Sequence, residues 1–460
     1  MQSRADGYRS IAFYAIAMLV VAGSNFLTTP LLLRLLGTEG FADWALLEPF
    51  ILIAMPLAGL GVQMGLLNLI RESPDVAGKL LPVHLGFAAV FAGLIGVVSY
   101  VLLGPTVAAC VSVIMFVEGG IVFMISFWRV TNRPGWYAII EGGRSASVML
   151  TLLAMTLLPM AAVSEVTEYL VLRAGFGTLF FGGALIVTRW HWQPDIALAR
   201  RAIWFGLPLG LSAMSVTMIM NLDRYFVASA VAAHDLSVYV AHVKTTQILG
   251  SALAPFFTWF APVAIARLQT GKLHDGFLGR SFFAFMAVNF ALCLGLWLMA
   301  PIVWDELFPE AAYSKSLMTP LVLGMVVFAA GNPLSIGCLQ EGRTNHALLV
   351  TLLAAVTGGI ACLALVQHFG AVGVAWAKAF GMTVYTCTFA ILTWRRLRIT
   401  YPWGMITALA AMSGTFAVLL EPIVFNMPAL PGMALASFAS ILVLVAAFAM
   451  DRGFIGMSRR

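Results

Sequence analysis

The stretch LPVHLGFAAVFAGLIGVVSYVLL, residues 81–103, holds no Asp, Glu, Lys or Arg. A helix of roughly 20 such residues, rising 1.5 Å per residue, is what it takes to cross a hydrocarbon core of about 30 Å. The run therefore reads as one membrane crossing, and the pattern repeats outward from it. Apolar runs bounded by charges or by Gly/Pro clusters predict crossings near 11–33, 41–69, 106–128, 135–158, 166–188 and 202–229. Further crossings are predicted near 237–266, 281–303, 315–339, 345–366, 371–393, 402–420 and 431–450. The expected fold is an all-α polytopic membrane protein with about fourteen transmembrane helices.

Composition supports this reading. Of 460 residues, 61% are hydrophobic and only 10% charged, with a mean hydropathy of +0.95. Soluble domains are about half apolar and a quarter charged. Arg4 and Arg9 precede an apolar stretch from Ile11 to Leu33 that is too long for a signal-peptide core, so it reads as a retained first span. Cys110, Cys293, Cys338, Cys362 and Cys387 all fall in predicted spans, where a small buried thiol is the ordinary reading and neither a disulfide framework nor a metal site is expected. The net charge of +6 does not point to nucleic acid, because the basic residues lie in short connections between spans.

Those connections orient the chain. With a cytoplasmic amino terminus, nearly all basic residues of the connections fall inside, from Arg4 and Arg9 through Arg200 and Arg201 to Arg459 and Arg460, and of the basic residues only Arg34 and Lys315 fall in outside connections. The positive-inside rule predicts that asymmetry for this orientation alone, so both termini are expected in the cytoplasm. No connection is long enough for a soluble catalytic domain. A weak internal repeat relates Pro30–Leu36 with Trp44 to Asp223–Ala230 with Tyr239, at an offset near 195 residues. It predicts a six-helix bundle over residues 1–190, a second over 191–400, and two appended helices with a cytoplasmic tail over 401–460.

Charges persist inside the spans: Glu48, Glu118, Glu141, Arg144, Arg173, Asp223, Arg224, Lys244 and Lys378. An ionised group at the bilayer centre costs about 2.5–3.5 kcal/mol on insertion scales, so such residues are expected to face a protein interior or a wet cavity. Glu48, Arg173, Lys244 and Lys378 each lie about seven residues inside the outer end of their span, roughly 10 Å deep. Arg144, Arg173, Arg224, Lys244 and Lys378 are the expected cationic contacts for an anionic cargo; Glu48, Glu118, Glu141 and Asp223 are the expected coupling or structural carboxylates. Glu141 and Arg144, three apart on one helix, are expected to pair, whereas the adjacent Asp223 and Arg224 point about 100° apart and each needs another partner. Pro30, Pro49, Pro56, Pro208, Pro255, Pro262 and Pro333 are expected to bend helices. Trp190, Trp192, Trp304 and Trp403 are expected as interface anchors.

Several short motifs, taken in order, carry a family resemblance. They are Leu35-Leu36-Gly37-Thr38-Glu39-Gly40-Phe41 with Trp44; Asp223-Arg224 with Val238-Tyr239 and Lys244; Leu307-Phe308-Pro309-Glu310-Ala311-Ala312-Tyr313; Gly342-Arg343; and Phe369-Gly370-Ala371-Val372-Gly373-Val374-Ala375-Trp376-Ala377. The chain resembles the Wzx-type polysaccharide flippases of the multidrug/oligosaccharidyl-lipid/polysaccharide exporter superfamily. The resemblance implies a flippase that carries an undecaprenyl-diphosphate-linked sugar or oligosaccharide from the cytoplasmic to the outer leaflet of a bacterial inner membrane. It would serve exopolysaccharide or O-antigen assembly, beside a polymerase or export machinery.

No G-x-x-x-x-G-K-[ST] loop occurs, so no nucleotide cofactor is expected. Three competing readings stand beside the flippase. A cation-coupled drug antiporter would want a carboxylate-dominated cavity. A membrane glycosyltransferase or polymerase would want a catalytic loop or an Asp-x-Asp pair, and neither is found. A scaffold subunit would have no need of a charged interior.

Overall fold

The computed structural model describes residues 4–70, 75–131, 133–158, 165–188, 192–269, 276–339, 344–397, 399 and 401–458. Expectations resting on Trp190, Gly342, Arg343, Arg459 and Arg460, and on the side chains of Arg4, Arg9 and Pro262, lie outside the described residues. Every regular element among the described residues is helical. The first half runs α1 (Arg4–Ala54), α2 (Val62–Leu69), α3 (Val76–Leu103), α4 (Pro105–Val130), α5 (Pro134–Tyr137), α6 (Gly143–Leu157), α7 (Val166–Thr188), α8 (Ile196–Asn221) and α9 (Asp223–Ala228). The second runs α10 (Ala233–Gln269), α11 (Phe277–Leu307), α12 (Lys315–Leu334), α13 (Ile336–Leu339), α14 (Thr344–Leu397), α15 (Trp403–Phe425) and α16 (Ala429–Ser458).

Among the described residues, eleven helices are long and apolar enough to cross a membrane. The chain is a multi-pass membrane protein. Two of those helices, Ile16–Leu57 and Asn345–Leu397, are 42 and 53 residues long, far beyond one crossing. Each turns at a glycine: Gly37 has φ 66° and ψ −177°, and Gly370 has φ 54° and ψ −138°, so each run is two helices in series. Both glycines sit in the motifs that carry the family resemblance.

The chain folds as two compact units. The first comprises Met1–Ser237 with Thr344–Ala355, the second Val238–Arg343 with Val356–Arg460. In the first unit, α4 packs against α3 and α7. One apolar core joins α2, α3, α4 and α8 through Val62, Leu66, Leu80, Phe123 and Ala202. A second joins α4 and α7 through Val117, Met124, Trp128 and Phe181. In the second unit α11 packs against α15 and α16. Outward faces carry the exposed apolar residues that lipid requires, such as Val101, Ile186 and Leu430.

The expected single crossing over 41–69 is interrupted. Its helix ends at Ala54, passes through a tight turn at Met55–Leu57 and resumes at Val62. Pro56 has no N–H to continue the ladder, and Leu60 and Gly61 take left-handed backbone, with φ 49° and 81°. Close packing holds the break: a Cβ added at Gly206 of α8 would fall 1.9 Å from the Gly61 carbonyl oxygen. Gly206→Ala should therefore cost about 1–3 kcal/mol, read as a lower melting temperature in detergent. Gly86→Ala, a position inside α3 with nothing within 4 Å of the new Cβ, should leave the melting temperature no lower than that of the native chain.

Two sequence expectations are corrected. Trp304 is no interface anchor: it is 1% exposed, its Nε1 donates to the Ala311 carbonyl, and its ring lies tilted against His242 with centroids 4.2 Å apart. A buried indole needs a partner for its N–H, and the Phe308–Ser314 connection supplies it. Trp192 and Trp403 are exposed. Cys110, Cys293, Cys338 and Cys362 are buried free thiols, whereas Cys387 is exposed.

The same connection holds Tyr313, whose hydroxyl is pushed up to about 12 by burial and then by the nearby Glu421 carboxylate. An unfolded tyrosine ionises near about 10. The raised value means that the folded state keeps its proton longer, so this contribution is complete below about pH 10 and is lost as pH rises through about 12. Thermal melts between those values should steepen with pH in the native chain and flatten in Tyr313→Phe.

Candidate functional site

The intramembrane charges of the first unit form two adjoining networks. Glu118 lies midway along α4, 4% exposed, in the helix that the unit wraps. α6 approaches it through a π turn, Ala138–Gly142, whose extra residue widens the helix just before Arg144. Arg144 reaches Glu118 with Nη1 and Glu141 with Nη2, the latter at 3.2 Å. Arg173, from α7, reaches the same Glu118 oxygen at 3.4 Å. One carboxylate thus serves two guanidinium groups from two helices, and the expected Glu141–Arg144 pair is present.

The second network lies beside it. Arg224 of α9 donates from Nη1 to Glu48 at 2.8 Å and from Nη2 to Asn221 at 3.0 Å, with the Ala45 carbonyl 3.4 Å from Nη1. Tyr225 donates to the Leu46 carbonyl at 2.9 Å, so α9 is fastened to α1 by consecutive residues. Arg173 and Tyr169 are both within electrostatic reach of Glu48, which links the networks. Tyr169 meets Trp44 edge-on at 6.4 Å.

Charges here nearly cancel. Arg144, Arg173 and Arg224 face Glu48, Glu118 and Glu141, and Asp223 is buried nearby on α9. Exposure separates their capacities. The side chains of Arg144, Arg173 and Glu141 keep 14%, 16% and 21% of their surface, while Arg224 keeps none. Arg144 also retains a buried Nε with no hydrogen-bond partner among the described residues. A guanidinium has five N–H donors, so the exposed pair can take an oxyanion by exchanging a carboxylate for it. Lys378 is buried and Lys244 half-buried, both in the second unit.

A model of the polysaccharide biosynthesis protein family matches residues 8–269. The chain belongs to the polysaccharide biosynthesis protein family. The fold of this polysaccharide biosynthesis protein is also found among solved structures. A lipid II flippase MurJ in its inward closed conformation is similar with a TM-score of 0.68 at 12% identity, over 96% of this chain and 99% of that one. An inward-facing multidrug resistance MATE transporter gives a TM-score of 0.64 at 15% identity, over 84% and 98%. An outward-facing MATE transporter gives 0.62 at 15% identity, over 85% and 95%. At these identities the likeness is one of fold. No curated protein matches the sequence.

Sequence reasoning about this family member missed Asn221, Tyr169 and His84, which hold or adjoin the charged residues. Asn221 was legible as a polar residue three before Arg224 on a helical chain. The buried His84 had no distinguishing neighbour in sequence.

Proposed function

We propose that the chain is a flippase for an undecaprenyl-diphosphate-linked sugar or oligosaccharide, moving it by alternating access from the cytoplasmic to the periplasmic leaflet. The reading places it in a bacterial inner membrane with fourteen crossings and both termini cytoplasmic. It has two related six-helix bundles over 1–190 and 191–400, and two further helices over 401–460. The observation that carries it is the partly open Arg144–Glu118–Arg173 cluster, buried within the apolar spans of a polysaccharide biosynthesis protein.

A diphosphate entering the membrane loses water that arginine donors can replace. Arg144 and Arg173 are the contacts for the phosphates; Lys244 and Lys378 are further cationic contacts for the cargo. Arg224 and Glu48 act as a brace between α1 and α9, because Arg224 has no surface to offer. A membrane potential positive outside favours outward movement of an anion, by about 2.3 kcal/mol per charge per 100 mV. Glu48, Glu118, Glu141 and Asp223 outnumber Arg144, Arg173 and Arg224 by one, and that single extra carboxylate favours a second reading, a cation-coupled drug exporter of the MATE kind.

Deleting the gene and extracting undecaprenyl-linked sugars separates these readings. The flippase reading expects lost surface polysaccharide and accumulated lipid-linked units, both reversed by the intact chain. Unchanged glycolipids with raised drug sensitivity would favour the exporter. A missing lipid-linked unit would mean an earlier biosynthetic enzyme.

A further inference from the structure

The break between α1 and α2 gathers two enclosed side chains with unused acceptors. His84 of α3 is 1% exposed, and its Nε2 lies 2.9 Å from the Gly119 carbonyl of α4. A carbonyl only accepts, so Nε2 carries the ring proton and Nδ1 presents a lone pair. That lone pair has no hydrogen-bond partner among the described residues. It is aimed at the break: a Cβ added at Gly59 would fall 1.9 Å from Cε1 and 2.1 Å from Nδ1. Gln63, 3% exposed, donates its Nε2 to the Pro56 carbonyl at 3.3 Å, and its Oε1 is left without a partner among the described residues.

Two buried acceptors beside a broken helix are satisfied by whatever arrives with a donor or a positive charge. Among the described residues, three uncharged groups lie against the ring: Gly59 from the break, and Gly119 and Phe123 from α4, the latter ring at 4.9 Å. Along α4 the adjacent titratable residue is Glu118, the carboxylate shared by Arg144 and Arg173. Imidazole is the side chain whose ordinary proton affinity sits nearest physiological pH.

We propose that His84 Nδ1, at the Met55–Gly61 break with Gln63, reversibly binds a proton and is the proton-coupling group of the transport cycle. A proton entering from the aqueous side turns the Nδ1 lone pair into a donor, for which Gln63 Oε1 and the carbonyls of the break are the acceptors. Because Gly119 holds His84 and Glu118 holds the arginines, consecutive residues of α4 connect the proton to the cargo cluster. The coupling half of the proposal rests on the flippase reading, whereas the proton site does not.

The test uses the full chain, labelled with 15N-histidine, in lipid nanodiscs, with the His84 signals identified by their loss in His84→Gln. Nδ1 should change from unprotonated to protonated as the pH is lowered. The midpoint should drop by about one unit in Gln63→Leu and rise by about one in Gln63→Glu. A His84 ring that stays neutral at every pH, in the native chain and in Gln63→Glu, overturns the site. In vesicles with an imposed pH gradient, movement of a lipid-diphosphate-linked sugar should accelerate in the native chain and lose that acceleration in His84→Gln. Retained acceleration overturns the coupling role. A native chain whose His84 titrates but which moves no lipid leaves the proton site standing and removes the flippase reading.

Discussion

Replacing Glu118 with glutamine should destabilise the chain by about 3 kcal/mol, at the lower end of the range for breaking a buried ion pair. Arg144 and Arg173 keep 14% and 16% side-chain exposure, and that contact with solvent is the reason for choosing the lower end. The amide has the shape of the carboxylate without its charge. It leaves two guanidinium groups from α6 and α7 opposed by Glu141, which reaches Arg144 at 3.2 Å, and by the more distant Glu48, within electrostatic reach of Arg173. The loss should appear as a drop of several degrees in melting temperature, together with failed complementation of a deletion strain. Glu118→Asp, which keeps the charge but shortens the reach, should be intermediate. A glutamine variant that melts with the native chain would mean that the carboxylate does not hold the helices together.

Arg224→Met should cost a comparable amount, roughly 3–5 kcal/mol, for a different reason. Arg224 is fully enclosed and donates from Nη1 and Nη2 to Glu48, Asn221 and the Ala45 carbonyl. Removing it takes the 2.8 Å guanidinium partner from Glu48, which keeps only 12% of its side-chain surface. The double variant Glu48→Leu with Arg224→Met should regain part of the loss, because the pair is replaced rather than broken. A coupling energy of about 1–3 kcal/mol in the double-mutant cycle is the expected reading. Arg224→Lys should rescue little, since a lysine has no fork to span a carboxylate and an amide together. Additive single-variant effects would show that Arg224 and Glu48 act independently.

These networks show where sequence reading stops. Helix positions were legible because apolar runs between charges are long, and α3, α4 and α7 fall within a few residues of their expected bounds. The Glu141–Arg144 pair was legible because helical geometry places residues three apart on one face. The Glu118–Arg144 and Glu48–Arg224 pairs were not, since they join residues 26 and 176 apart whose meeting depends on tertiary packing. Pro56 marked a bend, but the extent of the break to Gly61 depends on Gly206 of another helix. Trp304 carried an ordinary interface signature, and only the fold of the Phe308–Ser314 connection over it revealed a buried donor.

The central claim is that the arginines of α6 and α7 take the cargo phosphates in place of Glu118. The direct measurement is transbilayer movement of a fluorescent undecaprenyl-diphosphate-linked sugar in vesicles holding the purified full chain, alongside folded Arg144→Gln and Arg173→Gln variants. The account predicts rapid movement with the native chain and a loss of about tenfold or more in each variant, in line with a charge-assisted contact of 1.5–3 kcal/mol. Movement at the protein-free rate with the native chain, or at the native rate in both variants, would contradict it.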